Sequence, residues 1–210
     1  MPAAAVTGPS ALWYLTRATG ATTLILLTVS VALGVVNVRR TTIPGVPRFV
    51  LETIHRNASL LAMVFLVVHI GTAVLDPFAP VRLIDAVIPF TSAYRPLWLG
   101  LGALASDLLI AVIVTSLLRR RIGLGAWRAT HWLAYASWPI ALVHGFGTGS
   151  DAKTKWLLAL TAVCVLIVLV AAAVRISAGW PEHRGTRVTA MTTAALLPIG
   201  LLVWLPSGPL

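Results

Sequence analysis

The sequence predicts an all-α fold: a polytopic membrane bundle of six transmembrane helices. Of its 210 residues, 58% are hydrophobic and only 10% are charged, and the mean hydropathy is +0.91. A soluble domain carries about 25% charged residues, whereas a membrane-spanning helix needs about 20 consecutive apolar residues. Six runs approach that length, and they are Ala11–Val38, Phe49–Leu75, Leu97–Leu118, Trp127–Phe146, Trp156–Ile176 and Val188–Leu205.

Short segments rich in proline and glycine separate the runs, which favours one membrane domain. We expect a short tail at 1–10, a main domain at 11–176, and a loop with one additional helix at 177–210. The first ten residues lack the basic start of a signal peptide, so the first run is expected to be retained. The single cysteine, Cys164, lies inside an apolar run and excludes a disulfide framework.

The basic residues are distributed unequally between the two sides of the predicted bundle. Eleven of the 16 lysines and arginines fall in one set of loops and helix ends. The positive-inside rule places this richer set in the cytoplasm, which puts both termini outside. The net charge of +10 is therefore a topology signal; membrane lipid is an expected partner and nucleic acid is not. The richer set comprises Arg39, Arg40, Arg48, Arg56, Arg119, Arg120, Arg121, Arg128, Arg175, Arg184 and Arg187.

Four histidines lie in two of the apolar runs. His55 and His69 are 14 residues apart in the second run, and His131 and His144 are 13 apart in the fourth. On a helix these intervals measure about 21 Å and 20 Å, so each run holds one histidine near each face of a membrane about 30 Å thick. Because both runs cross in the same direction, His55 shares the cytoplasmic depth with His131. His69 and His144 share the outer depth.

This arrangement predicts two stacked haems, each held between two histidines. Side chains about 20 Å apart cannot bind one metal ion, whereas a pair at one depth supplies both axial ligands of a haem iron. No CxxCH attachment motif is present, so both groups are expected to be noncovalent haem b. His183, in the polar WPEHRG loop, has no partner at its depth and is expected to be solvated.

The helical phase suits one of the two histidine runs better than the other. Fourteen residues leave His55 and His69 within about 40° of one helix face, whereas thirteen leave His131 and His144 about 140° apart. Pro139 lies between the latter two, and a kink there is expected to bring both onto one face.

Cations and small residues near the histidines are candidates for contact with the porphyrins. Arg56 and Arg128 are placed to reach propionates at the cytoplasmic depth, and Arg17 those at the outer depth. The alternative is that all three are only topology charges. Four glycines offer room either for a porphyrin or for plain helix packing, namely Gly20, Gly71, Gly102 and Gly145.

Two further features lie near the predicted site. Asp107 falls in the middle of the third run, where an unpaired charge is costly, so we expect hydrogen bonding inside the bundle, with a proton relay as the alternative. The Pro77–Pro96 segment is expected to lie at the outer interface, where Arg82 and Arg95 would face lipid headgroups or an anionic acceptor.

The second and fourth runs resemble the ferric reductase-like transmembrane domain family, which includes the membrane part of NADPH oxidases, iron reductases and the bacterial haem subunit serving methionine sulfoxide reductase. The resemblance rests on HRNASLLAMVFLVVH and HWLAYASWPIALVH, which begin and end with the four histidines. The WYLTRATG, TSLLRRRIG and GTGSD segments are similar to small bacterial members, and the resemblance covers about Ala11–Ile176. It implies a haem-binding four-helix core in the bacterial cytoplasmic membrane, with one haem b in each leaflet conducting electrons.

In many members of that family, a module that binds FAD and NAD(P)H follows the last core helix. Here the chain after Ile176 holds a loop and one apolar run, so no flavin or nucleotide site is expected. The resemblance then implies a separate flavoprotein or a quinol as the electron donor.

Together these features predict a diheme cytochrome b that passes electrons from a cytoplasmic-side donor to an extracytoplasmic acceptor. It would be the electron-transfer component of a ferric reductase-like membrane oxidoreductase. One alternative is a transporter of transition metals or protons, although two histidines at each depth are few for a metal site. The other is an accessory subunit without haem, which would tolerate replacement of the histidines.

Overall fold

A computed structural model describes residues 10–37, 47–77, 80–148 and 154–177, together with Gly185 and Val188. Throughout these residues the regular secondary structure is helical, which confirms the predicted all-α fold. The helices are α1 (Ala11–Asn37), α2 (Arg48–Leu75), α3 (Leu83–Val87), α4 (Pro96–Leu117), α5 (Arg119–His131), α6 (Leu133–Thr148) and α7 (Lys155–Ser177).

Four of these helices are long and apolar enough to cross a membrane: α1, α2, α4 and α7. They coincide with the first, second, third and fifth predicted runs. Large apolar side chains on them face outward; Val67 of α2 is 66% exposed and Leu166 of α7 is 60% exposed. Such exposure is favourable in lipid, where the helical backbone also satisfies its own hydrogen bonds. The chain is therefore an integral membrane protein.

The fourth predicted run consists of two helices in the structure. α5 ends at His131, Trp132 forms a turn, and α6 begins at Leu133. The helical interruption between the two histidines thus lies at Trp132, and Pro139 lies inside α6, which continues through it. The sixth predicted run falls outside the described residues, apart from Val188.

The chain divides into two compact units. The first comprises Met1–Ile25 and Leu60–Ala152, and the second comprises Leu26–Ser59 and Lys153–Leu210. Both α1 and α2 therefore contribute one half to each unit. The predicted domain boundaries, with a main domain at 11–176, remain a prediction.

In the first unit, hydrogen bonds join the N-terminal half of α1 to the end of α2. The Ser10 hydroxyl accepts the Trp13 N–H at 3.0 Å, which caps α1, and donates to the Asp76 carboxylate at 3.0 Å. Two turns further along, the Thr16 hydroxyl donates to the Thr72 hydroxyl at 2.8 Å. In the same unit α4 packs along α6, and both helices bury small residues such as Ala105 and Ser137, which permits close helix approach.

The second unit combines the C-terminal half of α1, the N-terminal half of α2, and α7. Its buried apolar side chains include Val31 of α1, Leu51 of α2 and Cys164 of α7. The Arg175 guanidinium of α7 donates to the Val35 carbonyl of α1 at 3.1 Å, which satisfies a carbonyl near the end of α1.

The segment between α2 and α4 carries the short helix α3. Its first turn is held by Asp85, which is 2% exposed and accepts hydrogen bonds from the Arg82 guanidinium at 2.9 Å and the Arg82 backbone N–H at 3.0 Å. These hydrogen bonds from Arg82 lower the pKa of Asp85. Arg82, which was predicted to face headgroups or an anion, is thus paired within its own loop, although its side chain stays 67% exposed.

Candidate functional site

The structure brings together His69 and His144, the pair predicted at the outer depth. His69 lies on α2 and His144 on α6, and both belong to the first unit. Their ring centroids are 6.5 Å apart and their ring planes are nearly perpendicular, at 86°. Two residues separated by 75 positions in the sequence therefore face each other inside the bundle.

Each ring of this pair is oriented by a hydrogen bond to a neighbouring helix. The Nδ1 atom of His69 lies 2.7 Å from the Thr16 carbonyl of α1, and that of His144 lies 2.8 Å from the Trp98 carbonyl of α4. A carbonyl only accepts hydrogen bonds, so each Nδ1 carries the proton. In the neutral imidazole this leaves Nε2 unprotonated, with its lone pair available to a metal ion.

Two glycines let these rings approach the neighbouring helices. A methyl group on Gly20 of α1 would come within 2.9 Å of the His69 ring, and one on Gly102 of α4 within 2.5 Å of the His144 ring. Both distances are shorter than side chains tolerate, so each ring rests directly on helix backbone. Gly71 and Gly145 have no such neighbour within 4 Å. Of the four glycines predicted to offer room, two make room for the histidines themselves.

The separation of the two rings fits two imidazoles that bind one metal ion. Metal–imidazole bonds are about 2 Å long, so two rings that share one metal ion have centres roughly 6 Å apart. The observed 6.5 Å agrees with that separation. Nδ1–H donation to a carbonyl is also the usual outer contact of a metal-binding histidine.

The other two histidines lie in different units, and their pairing remains a prediction. In the second unit, the Nδ1 atom of His55 donates to the Ser30 carbonyl of α1 at 2.9 Å. The Ser30 hydroxyl also lies 2.6 Å from that of Ser59, which donates to the His55 carbonyl at 2.7 Å. His55 is therefore oriented by a helix carbonyl, as are His69 and His144.

His131 lies in the first unit, at the end of α5. Its ring stacks on that of Trp127, with centroids 4.9 Å apart and planes tilted by 33°. The Trp127 indole N–H donates to the Ser116 hydroxyl of α4 at 3.2 Å. Trp127 thus contacts both His131 and α4.

The three candidate arginines differ in their surroundings. The Arg17 guanidinium lies 3.9 Å from the centre of the Trp13 ring, which is a cation–π contact. Arg17 directly follows Thr16, whose carbonyl accepts the hydrogen bond from His69. Arg56 and Arg128 are exposed, and each lies within one helical turn of a histidine in sequence. Their contact with propionates remains a prediction.

Asp107 lies half-buried in the middle of α4. In the part of the chain that the structure describes, its carboxyl makes no hydrogen bond or ion pair, so the expected hydrogen bonding inside the bundle is not seen there. The described residues also contain no group of three or more His, Cys, Asp or Glu side chains that could hold a metal ion.

The fold and the histidine pair define the class of protein: an integral membrane helical bundle in which separate helices bring histidines together. Within that class, the chain belongs to the family described as ferric reductase like transmembrane component, whose sequence profile matches residues 19–142. The match includes His55, His69 and His131, and it ends two residues before His144. No curated protein and no solved structure matches the chain. Members of the family typically bind haem, and membership of the family indicates a role in electron transfer at the membrane.

Proposed function

We propose that the chain is a transmembrane cytochrome that binds two noncovalent haems b and passes electrons from a cytoplasmic-side donor to an extracytoplasmic acceptor. Membership of the ferric reductase-like family supports electron transfer across the membrane. The observation that carries the proposal is the His69–His144 pair, with ring centroids 6.5 Å apart and both Nδ1 atoms bonded to carbonyls.

His69 and His144 would hold one haem as axial ligands through Nε2. When bound, a haem supplies one-electron redox chemistry at its iron. The carbonyls of Thr16 and Trp98 would fix the direction of both lone pairs and raise the basicity of both imidazoles. If both imidazoles held the iron, the acceptor would be reduced without binding to it.

His55 and His131 are proposed as the axial ligands of the second haem. Their spacing from His69 and His144, and the hydrogen bond from His55 to a helix carbonyl, support this assignment. Arg56 and Arg128 would pair with its propionates, and Arg17 with those of the first haem.

The charge distribution supports an orientation with both termini outside a bacterial cytoplasmic membrane. His69 and His144 would then lie at the outer depth and deliver electrons to an extracytoplasmic acceptor. The donor would be a separate flavoprotein or a quinol that delivers electrons at the His55–His131 depth.

The absorption spectrum of the purified full-length protein tests the proposal. Reduction by dithionite is expected to produce a b-type α-band, with two haems for each chain. His69→Ala and His144→Ala should each remove one haem, and His69→Ala combined with His55→Ala should remove both.

His183→Ala is the matched control, because His183 belongs to the polar sequence WPEHRG, outside the apolar runs. This variant should keep the full absorbance. A correctly folded wild-type protein without a visible band would contradict the proposal and favour a transporter or an accessory subunit. A full band in the His69→Ala and His144→Ala variants would reject the ligand assignment.

A further inference from the structure

In addition to the hydrogen bonds that orient the His69–His144 pair, Trp98 contacts Gly147. Trp98 is in the first turn of α4 and is 7% exposed, whereas Gly147 is buried in the last turn of α6. A methyl group on Gly147 would overlap the indole ring, so the ring lies directly on the α6 backbone. Only glycine permits this contact.

The same tryptophan also holds His144. Its carbonyl accepts the Nδ1–H of His144 at 2.8 Å, while its side chain covers Gly147, three residues further along α6. Trp98 therefore contacts the end of α6 with both its backbone and its side chain. A shift of the indole ring against Gly147 would displace α4 from α6, and the carbonyl would move relative to the imidazole.

The loop before α4 also contacts Gly147, through Arg95. The Arg95 guanidinium donates a hydrogen bond to the Gly147 carbonyl. Arg95 itself adopts φ 42°, a left-handed value that is unfavourable for a residue with a side chain. Such strain persists where surrounding contacts determine the conformation, and the hydrogen bond to Gly147 is one of them.

We propose that Trp98 is a positioning residue for His144. Its ring packs on Gly147, whose carbonyl accepts the hydrogen bond from Arg95. Trp98 sets the direction and basicity of Nε2, and with them the redox potential of the haem bound by His69 and His144. This inference rests on the proposed function, because it assigns a role at the same site. The physical reason is that a hydrogen bond weakens steeply as it lengthens or tilts. A small displacement of the Trp98 carbonyl therefore changes the basicity of the His144 imidazole.

Gly147→Ala in the full-length protein, followed by a potentiometric titration of both haems, tests the inference. The added methyl group should displace the Trp98 ring and weaken the His144 hydrogen bond. A less basic imidazole stabilises ferric iron less, so the midpoint potential of one haem should rise while that of the other stays unchanged. Selective loss of that haem would support the same conclusion.

Two glycine variants serve as controls. Gly100→Ala introduces a comparable overlap in α4, but with Phe90 of the loop and not with Trp98. It should lower the melting temperature and leave both potentials unchanged. Gly125→Ala adds a methyl group in open space, so it should leave both potentials unchanged and should not lower the melting temperature.

Arg95→Ala keeps the inference testable if Gly147→Ala does not fold, because the Arg95 side chain is exposed. This variant should raise the same potential by a smaller amount. Unchanged potentials in the folded variants would overturn the positioning role, as would an equal shift of both haems. A wild-type protein without haem would instead refute the proposed function, so the two failures are distinguishable.

Discussion

At the scale of single residues, three of the histidines share one local arrangement. Each donates its Nδ1–H to the carbonyl of a residue that is followed, four positions later, by a glycine. In a helix the carbonyl of residue i bonds the N–H of residue i+4, so a side chain there lies close to that carbonyl. Glycine at this position leaves room for an imidazole ring. The three pairs are Thr16 with Gly20, Ser30 with Gly34, and Trp98 with Gly102.

The glycine arrangement predicts a graded effect of added methyl groups. Gly102→Ala places a carbon 2.5 Å from the His144 ring, and Gly20→Ala places one 2.9 Å from the His69 ring. Overpacking of this kind costs about 1–3 kcal/mol. We expect both variants to bind the haem of this pair less tightly, with the larger loss for Gly102→Ala, as measured by haem content and thermal unfolding in detergent.

Gly125→Ala provides the reference for both variants, since its methyl group meets no atom within 4 Å. It should retain haem, and its stability should stay equal or rise slightly, because alanine favours a helix over glycine by up to about 1 kcal/mol. Equal haem content in all three variants would show that the rings do not need the glycine backbone.

At the scale of elements, the loop helix α3 depends on one buried carboxylate. Asp85 accepts hydrogen bonds from the Arg82 backbone and side chain and from the Thr91 hydroxyl at 3.3 Å. Apolar side chains on the same short helix, such as Leu83 at 67% and Val87 at 59%, remain exposed. The polar contacts of Asp85 therefore join the start of α3 to Thr91, beyond its end, and α3 also packs against α4.

This carboxylate makes the loop sensitive to acid. The Arg82 hydrogen bonds hold the pKa of Asp85 below its ordinary value of 3.8. A group with a lowered pKa in the folded state stabilises that state above the ordinary pKa, and the stabilisation is lost as the pH falls through the lowered value. We expect α3 to be protected from hydrogen exchange at neutral pH and to lose that protection in acid.

Asp85→Asn is the comparison for this measurement. At neutral pH the variant should exchange its α3 amides faster than the wild type, and the difference should shrink as the pH falls below 3.8. A difference that is independent of pH would mean that Asp85 acts by shape and not by charge.

The division of the fourth predicted run is also decided at this scale. The turn at Trp132 separates His131 at the end of α5 from His144 in α6. Helical periodicity applies to one continuous helix, and on that basis the sequence predicts the change of phase at Pro139. In the structure the two helices meet at Trp132, next to His131, and α5 contacts α4 through Trp127 and Ser116.

At the scale of the whole molecule, the charge distribution predicts the orientation. Both the segment before α4 and the basic segment after it hold exposed alanines, Ala93 and Ala126. The native Cys164 is 3% exposed within α7, so it gives little background to thiol reagents. With the N-terminus outside, a membrane-impermeant thiol reagent added to intact cells should label Ala93→Cys and leave Ala126→Cys unlabelled.

Permeabilised cells provide the control for this experiment. Both variants should react once the membrane is opened, which shows that each cysteine is accessible. Labelling of Ala126→Cys alone in intact cells would reverse the proposed direction of electron transfer while leaving the histidine pair unaffected.

Much of the architecture could be predicted because it depends on local composition. Runs of apolar residues must become helices in lipid, and the described helices α1, α2, α4 and α7 begin and end within a few residues of the predicted runs. The pairing of His69 with His144 followed from spacing and direction of crossing. The missed residues, Thr16 and Trp98, act through backbone carbonyls, and the glycines four positions later were the signal that could have revealed them.

The sequence by itself determined that this chain is a membrane helical bundle and that His69 and His144 share a depth, because hydropathy and helical rise are properties of neighbouring residues. Tertiary structure alone decided which carbonyl orients each ring. It also decided that the His69 ring packs on Gly20 and the His144 ring on Gly102. Every residue has a carbonyl, so its role depends on which helix packs beside it and how closely.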